Sequence, residues 1–98
     1  MRYIFRNRSL AALYESGKDN GQYGVEVFRA FERVMAVIGN AHDTRDLYAL
    51  KSLHFEKLSG DRAGQHSLRL NKQWRLIIVL EADDQGRFVV VIEIIDYH

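Results

Sequence analysis

The spacing of hydrophobic positions differs between the two halves of the chain. In the first half, apolar residues recur at three- and four-residue steps, as they do on the buried face of an α-helix. A long stripe of this kind covers 22–38, and a shorter one covers 9–16, between Asn7 and Gly17. Asparagine often caps the start of a helix and glycine its end, so two helices are predicted. One or two further helical turns are expected within 44–53.

Strand-like patterns dominate the second half, and a short alternating stretch opens the chain. The predicted strands are 2–6, 54–58, 65–70, 74–80 and 87–95. Short polar turns join the last three, which makes them antiparallel neighbours, and the last two are apolar at nearly every position, as central strands are. The sequence therefore predicts one α+β domain over residues 1–98. In it, a short strand and two helices precede an antiparallel meander, and the helices pack on one face of the sheet.

Composition excludes several kinds of site. The chain has no cysteine, so disulfides and thiolate metal ligands are ruled out. Its four histidines, at 42, 54, 66 and 98, lack the spacing of a metal site, and we expect neither a metal nor another cofactor. No apolar run is long enough to span a membrane, and the basic N-terminus lacks the apolar centre of an export signal. We therefore expect a cytoplasmic protein without a membrane partner.

The charge distribution is more informative than the net charge of +1. Residues 51–75 hold six basic and two acidic side chains, a net charge of +4. Residues 76–98 hold one basic and five acidic side chains, a net charge of −4. The basic central segment favours a polyanionic partner, although most charged segments are simply solvated surface.

Turn lengths predict which residues of the meander face one another. If the turn that follows Leu80 pairs it with Arg87, then Arg75 faces Ile92 or Glu93. One structural interpretation is that Arg75 simply forms an ion pair with Glu93. A register slip of one residue would move Arg75 to the other face of the sheet.

The same counting brings a polar cluster to one end of the sheet. A three-residue turn around Lys72 places Arg69 directly opposite Arg75, and Tyr97 and His98 then lie beside that turn. Guanidinium groups bind phosphate oxygens in two-point fashion, while an imidazole and a phenol can transfer or orient protons. The cluster therefore fits phosphodiester chemistry, although the spacing alone favours a structural role for these residues. No metal is needed if the nucleophile is a ribose 2′-hydroxyl of the RNA itself.

Two stretches carry a resemblance to a known family. The stretch "LSGDRAGQHSLRLNKQWRLI", followed near the C-terminus by "EIIDYH", resembles the HigB-type plasmid-maintenance killer toxins of the RelE/ParE superfamily. The resemblance implies a RelE-like fold and a ribosome-dependent endoribonuclease that cuts mRNA without a metal. It also implies a labile antitoxin, of helix-turn-helix type and encoded by the neighbouring gene, that forms a hetero-oligomer with the toxin. Catalytic roles are implied for Arg75, Tyr97 and His98, and for Arg62 in the matching Gly-Asp-Arg turn.

One position departs from the family pattern. The family usually has a lysine before Gly-Asp, where this chain has Ser59. His54 and Lys57 copy the spacing of a histidine and a lysine in some members, but they lie two residues further from Gly60. A bulge would restore Lys57 to a catalytic position; without one, Lys57 contributes only charge. The residues predicted to contact RNA are Lys51, His54, Arg69 and Lys72.

Two other functions stay open from the sequence alone. The ParE branch of the same fold inhibits DNA gyrase without cutting RNA, and fold alone does not separate these activities. Arg75 and the terminal Tyr97 and His98 favour RNA cleavage, because a gyrase-binding protein needs no proton-transfer pair. The third possibility is an inert binding domain whose polar cluster is structural.

Overall fold

The first helix begins and ends at the predicted capping residues. In the computed structural model, which describes residues 1–97, helix α1 covers Arg8–Ser16. The Asn7 side chain accepts a hydrogen bond from the backbone N–H of Leu10 at 3.1 Å, and Gly17 ends the helix in the left-handed region at φ 65°. Asn7 and Gly17 thus cap the two ends of the helix, as the sequence predicted.

The long helix starts and ends later than its hydrophobic pattern suggested. Helix α2 covers Val25–Asn40, whereas 22–38 was predicted. It starts late because Gly24 adopts φ 87°, outside the helical region, and it continues through the glycine and asparagine that were expected to end it. A third helix, α3, covers Thr44–Ala49, and a 3₁₀ turn follows at Lys51–Leu53, which confirms the expected helical turns. No helix in the described part of the chain is long and apolar enough to cross a membrane.

Five strands form one sheet. They are β1 Tyr3–Phe5, β2 Glu56–Lys57, β3 Gln65–Arg69, β4 Trp74–Asp83 and β5 Gly86–Asp96. Their order in the sheet is β1-β5-β4-β3-β2, with β1 parallel to β5 and every other pair antiparallel. The predicted meander is therefore present, and the N-terminal strand joins it beside the last strand.

The hydrophobic core lies between the helices and one face of the sheet. Helix α2 contributes the fully buried Phe31, Met35 and Ile38, and alternate residues of β4, Leu76 and Ile78, belong to the same core. Each such side chain stabilises the fold by roughly 1.5–3 kcal/mol through its burial. This arrangement confirms the predicted α+β class with helices packed on one sheet face, and it leaves the other face, called here the open face, available for a site.

The hairpin between β4 and β5 is tighter than predicted. Both strands extend to a two-residue turn at which Asp83 pairs with Gly86, so Leu80 pairs with Val89. The predicted pairing of Leu80 with Arg87 was wrong, because the polar residues after Leu80 continue the strand instead of forming the turn. Gly86 supplies the positive φ, 108°, that this tight connection requires.

An extra residue in β5 changes which of its side chains reach the open face. Ile78 pairs with Val91, whereas Ile77 pairs with Glu93, so Ile92 forms a β-bulge. Because side chains alternate along a strand, one extra residue reverses the alternation for the rest of β5. Turn lengths alone could not reveal this shift.

Candidate active site

A polar pocket of about 220 Å³ lies beside the edge strand β2. Its lining residues come from β2 and the two residues after it, from the 3₁₀ turn Gly60–Arg62 and from the residue after β5: Glu56, Lys57, Leu58, Ser59, Arg62 and Tyr97. Lys57, Arg62 and Tyr97 are three of the predicted catalytic residues. A larger, mainly apolar pocket of about 360 Å³ beside α2 and α3 contains none of the predicted site residues.

Arg75 is held firmly next to this pocket. Its side chain is only 14% exposed, and its Nη1 donates to the backbone carbonyl of His54 at 3.0 Å and to Ser67 Oγ at 3.4 Å. These bonds use both hydrogens of Nη1 and leave three N–H donors, on Nε and Nη2. Nη2 lies 3.8 Å from Glu56 Oε1, and the guanidinium carbon lies 5.3 Å from the ring centre of Tyr97. The remaining donors form an edge that can bind an anion in two-point fashion.

His54 separates two arginines that face each other across the sheet. Arg69 pairs with Arg75, as predicted, but its guanidinium turns away. Its Nε donates to the carbonyl of Asn71 at 3.2 Å, and its Nη1 lies 3.2 Å from Nε2 of His54. The backbone of His54 has φ 43° and ψ 47°, a left-handed conformation that costs a non-glycine residue about 1–3 kcal/mol. In this conformation its carbonyl contacts Arg75 and its ring contacts Arg69, which keeps the like charges apart.

The predicted structural contact between Arg75 and Glu93 is not formed. Arg75 pairs with Ile95 on the sheet, because the tighter hairpin shifts the register by two residues and the bulge shifts it by one more. Glu93 instead accepts a hydrogen bond from Nη2 of Arg62 at 3.2 Å, while Nη1 of Arg62 donates to Gln65 Oε1 at 2.9 Å. The interpretation of Arg75 as a simple ion-pair partner of Glu93 was therefore wrong.

Tyr97 extends the pairing of β4 and β5 beyond the last strand residue. Its backbone N–H donates to the carbonyl of Gln73 at 2.6 Å, so it lies beside the turn that contains Lys72, as predicted. Its side chain is 39% exposed, and its ring lies against the guanidinium of Arg75 in cation–π geometry. His98 lies outside the residues that the structure describes, and its catalytic role stays a prediction.

Glu56 is a pocket residue that the sequence analysis did not select. It pairs with Ser67 in the sheet, and its carboxylate approaches Arg75 from the open face. Alternation along the strand was the signal that could have found it: Phe55 is buried in the core, so the next side chain points to the opposite face. Glu56 therefore adds a carboxylate to the polar pocket, beside the guanidinium of Arg75.

The predicted RNA-binding lysines lie on the surface outside the pocket. Lys51 is exposed in the 3₁₀ turn after α3, and Lys72 is exposed in the turn between β3 and β4. Lys57 does reach the pocket, where it lies near Ser59. Its role as the counterpart of the family lysine before Gly-Asp stays a prediction.

The structure separates His66 from the acid–base groups of the pocket. Its ring stacks on Phe55 with centres 5.0 Å apart and planes 13° apart. Burial lowers the pKa of His66, and the positive charges of Lys57 and Arg87 lower it further, so the ring is neutral at neutral pH. Within residues 1–97, no cluster of three or more histidine, aspartate or glutamate side chains is arranged to hold a metal ion.

Helices on one face of a short antiparallel meander, and a polar site on the other face, form a RelE-like fold. A sequence profile agrees with the fold. The profile described as RelE-like toxin of type II toxin–antitoxin system HigB matches residues 3–98, and the chain belongs to this family. No protein with a curated description matches the sequence.

Solved structures share the fold at low sequence identity. The YoeB/ParE toxin from Agrobacterium tumefaciens is 18% identical, with a TM-score of 0.63 over 100% of this chain and 99% of the other. The YoeB–YefM complex from Staphylococcus aureus contains a chain that is 17% identical, with a TM-score of 0.59 and coverage of 100% and 97%. YafQ from E. coli is 12% identical, with a TM-score of 0.61 and coverage of 98% and 93%. At these identities the similarity concerns the fold.

Proposed function

We propose that this toxin is an endoribonuclease that cuts mRNA on the ribosome and thereby stops translation. The observation that supports the proposal most directly is that Arg62, Glu56 and Tyr97 line one polar pocket, with Arg75 beside Glu56 and Tyr97. Cations that bind a phosphate, next to a proton acceptor and a phenol, are the groups that phosphodiester cleavage needs. The resemblance to HigB-type toxins supports mRNA on the ribosome as the substrate.

Arg75 is the principal phosphate-binding group in this proposal. Its anchors on His54 and Ser67 fix the guanidinium before the substrate arrives, and its Nη2 lies 3.8 Å from the carboxylate of the pocket residue Glu56. Such preorganised donors stabilise the negative charge that grows on the phosphate oxygens in the transition state. Arg62 and Lys57 line the same pocket and supply further positive charge.

The nucleophile is the ribose 2′-hydroxyl next to the scissile phosphate, so the reaction does not require a metal-bound water. Glu56 accepts the hydroxyl proton while the 2′-oxygen bonds to phosphorus. The bond from phosphorus to the 5′-oxygen breaks, and that oxygen takes a proton from an acid, which yields a 2′,3′-cyclic phosphate and a 5′-hydroxyl. Tyr97, through its position on Arg75, and His98, through its adjacency in sequence, are the candidates for the acid.

The RNA on either side of the cut contacts the basic surface around the pocket. Arg69 and His54 lie next to Arg75, and Lys51 and Lys72 are exposed nearby on turns at the same sheet. Contacts of this kind neutralise backbone phosphates and position the strand without reading its sequence.

Brief expression of the toxin without a partner should arrest growth and create breaks within translated reading frames. Because the ribosome presents the mRNA, these breaks should disappear when translation initiation is blocked before induction. Mapping of transcript 5′ ends with and without translation measures both effects. Expression of Arg75→Ala at the same level is the control, and it should leave the transcripts intact.

Gyrase inhibition predicts a different outcome for the same experiment. Growth would stop while transcripts stayed intact, and plasmid supercoiling would change. That combination would replace the nuclease function with the ParE-like one.

A partner antitoxin is the second part of the proposed function. The S. aureus structure is a YoeB–YefM complex, so a toxin of this fold binds a second protein. We expect a helix-turn-helix antitoxin, encoded by a neighbouring gene, that covers part of the basic 51–75 surface with acidic residues. Co-expression of the neighbouring reading frame should restore growth and co-purify a hetero-oligomer. Rescue by neither neighbour would contradict this partner.

A further inference from the structure

We propose that Glu93 is a positioning residue that fixes the guanidinium of Arg62 at the pocket, and that the β-bulge at Ile92 brings it there. The proposal rests on the nuclease function, since the orientation of Arg62 affects the rate only if the pocket binds a phosphate. Neither residue type nor strand pattern assigns this role to Glu93, which interrupts an apolar run near the end of β5.

Without the bulge, Glu93 would point into the core. If the β4–β5 pairing continued without the extra residue, Glu93 would lie opposite Leu76, whose side chain is fully buried on the helix side of the sheet. A carboxylate buried there without a partner would be strongly unfavourable. The bulge instead places Glu93 opposite Ile77 on the open face and returns Ile94 to the core. Bulges beside active sites often redirect a side chain in this way.

The contacts of Arg62 show what Glu93 does on the open face. Glu93 holds Nη2 at 3.2 Å and Gln65 holds Nη1 at 2.9 Å, so two of the five N–H donors of Arg62 are used and three remain for a ligand. The Arg62 and Glu93 side chains are 36% and 39% exposed, and an ion pair so accessible to water adds little to stability. Its main effect is to restrict a long, flexible side chain to one orientation at the pocket wall.

A second ion pair on the same sheet provides a matched control. Arg6 and Glu81 also have an N–O distance of 3.2 Å and are also exposed to solvent. Neither residue lines the polar pocket. Replacement of Glu81 therefore removes a surface carboxylate from an arginine, as replacement of Glu93 does, but it changes nothing near Arg62.

Single-turnover cleavage on ribosomes programmed with a defined mRNA tests the proposal. Glu93→Ala should lower the chemical rate by about tenfold to a hundredfold, with a much smaller change in the toxin concentration needed for half-maximal rate. Arg62→Ala should cause a similar loss, and the double variant should lose no more than Arg62→Ala alone, because both changes remove the same contact. Glu93→Gln should recover most of the rate, since its amide oxygen still accepts from Arg62. Glu81→Ala should cut at the unaltered rate.

Two kinetic results would overturn the proposal while the nuclease function stands. They are an unaltered rate for Glu93→Ala, and losses for Glu93→Ala and Arg62→Ala that add in the double variant. If the unaltered toxin cuts no mRNA, the nuclease function itself is refuted.

Rotation of the Arg62 guanidinium, measured by NMR in the free protein, reports on the positioning of this side chain independently of cleavage activity. We expect slow rotation in the unaltered protein and fast rotation in Glu93→Ala; equally fast rotation in both would also overturn the proposal.

Discussion

Replacement of Arg75 by alanine should lower the rate of mRNA cleavage by at least about a hundredfold, because it removes the preorganised donor edge from the pocket. Arg75→Lys should recover little of this rate, since an ammonium group cannot keep both anchors, on His54 and Ser67, and also bind a phosphate at two points. Single-turnover cleavage on programmed ribosomes, with every variant at saturating concentration, isolates the chemical step from binding.

A change in stability accompanies this variant and has to be measured beside the rate. Ser67 is fully buried, and Arg75→Ala leaves its hydroxyl without the guanidinium that contacts it, which should lower the free energy of unfolding by about 1–3 kcal/mol. Ser67→Ala removes the same bond while keeping the guanidinium, and it should slow cleavage far less.

Arg69→Ala should weaken RNA binding and leave the chemical step nearly unchanged. A folded Arg75→Ala protein with full activity would show that the phosphate binds elsewhere.

Glu56→Gln should slow cleavage by about 10²–10⁴-fold, the usual contribution of a general base, while ribosome binding is preserved. The amide keeps the size of the carboxylate beside Arg75 but cannot take the proton of the 2′-hydroxyl. A lost chemical step with unaltered ribosome binding is a result that a purely structural role of Glu56 would not predict. Glu81→Gln, which changes another glutamate paired with an arginine on the sheet, is the matched control.

A variant that lacks residues 97 and 98 shows which groups act as the general acid and which as the general base. The shortened protein should stay folded, because β5 ends at Asp96 and the Tyr97 side chain is partly exposed. It should lose cleavage of substrates with an ordinary 5′-oxygen leaving group but retain much activity on a substrate with a 5′-thio leaving group, which needs no protonation. Full activity of Glu56→Gln together with inactivity of the shortened protein would assign the base to Tyr97 or His98.

Local features of this fold could be predicted because their causes are local. Asn7 and Gly17 cap α1 through atoms within a few residues of the helix, so sequence order alone reveals the contact. The opposition of Arg69 and Arg75 depends only on a three-residue turn, and the prediction was confirmed. Helix α2 began late because the conformation of a single glycine, Gly24, outweighed the hydrophobic pattern.

The parts of the site that could not be predicted depend on strand register. The polar residues after Leu80 look like a turn but continue β4. The bulge at Ile92 lies at the end of an apolar run, 88–92, in which no polar residue distinguishes one face of the strand from the other. Because of both features, Arg75 pairs with Ile95 and not with the predicted Ile92 or Glu93. The carboxylate beside Arg75 is that of Glu56. A register is set by the packing of both faces of a whole sheet, and short-range patterns carry little information about it.

The pairing of β1 with β5 also determines when the toxin can first act. Tyr3 pairs with Val89, so the first strand to be synthesised has no partner until the last strand emerges. Contacts so distant along the chain form late in folding. Arg75 leaves the ribosome before Tyr97, and the two meet only once β5 has paired with β4. A nascent chain therefore carries no assembled pocket until β5 has been synthesised.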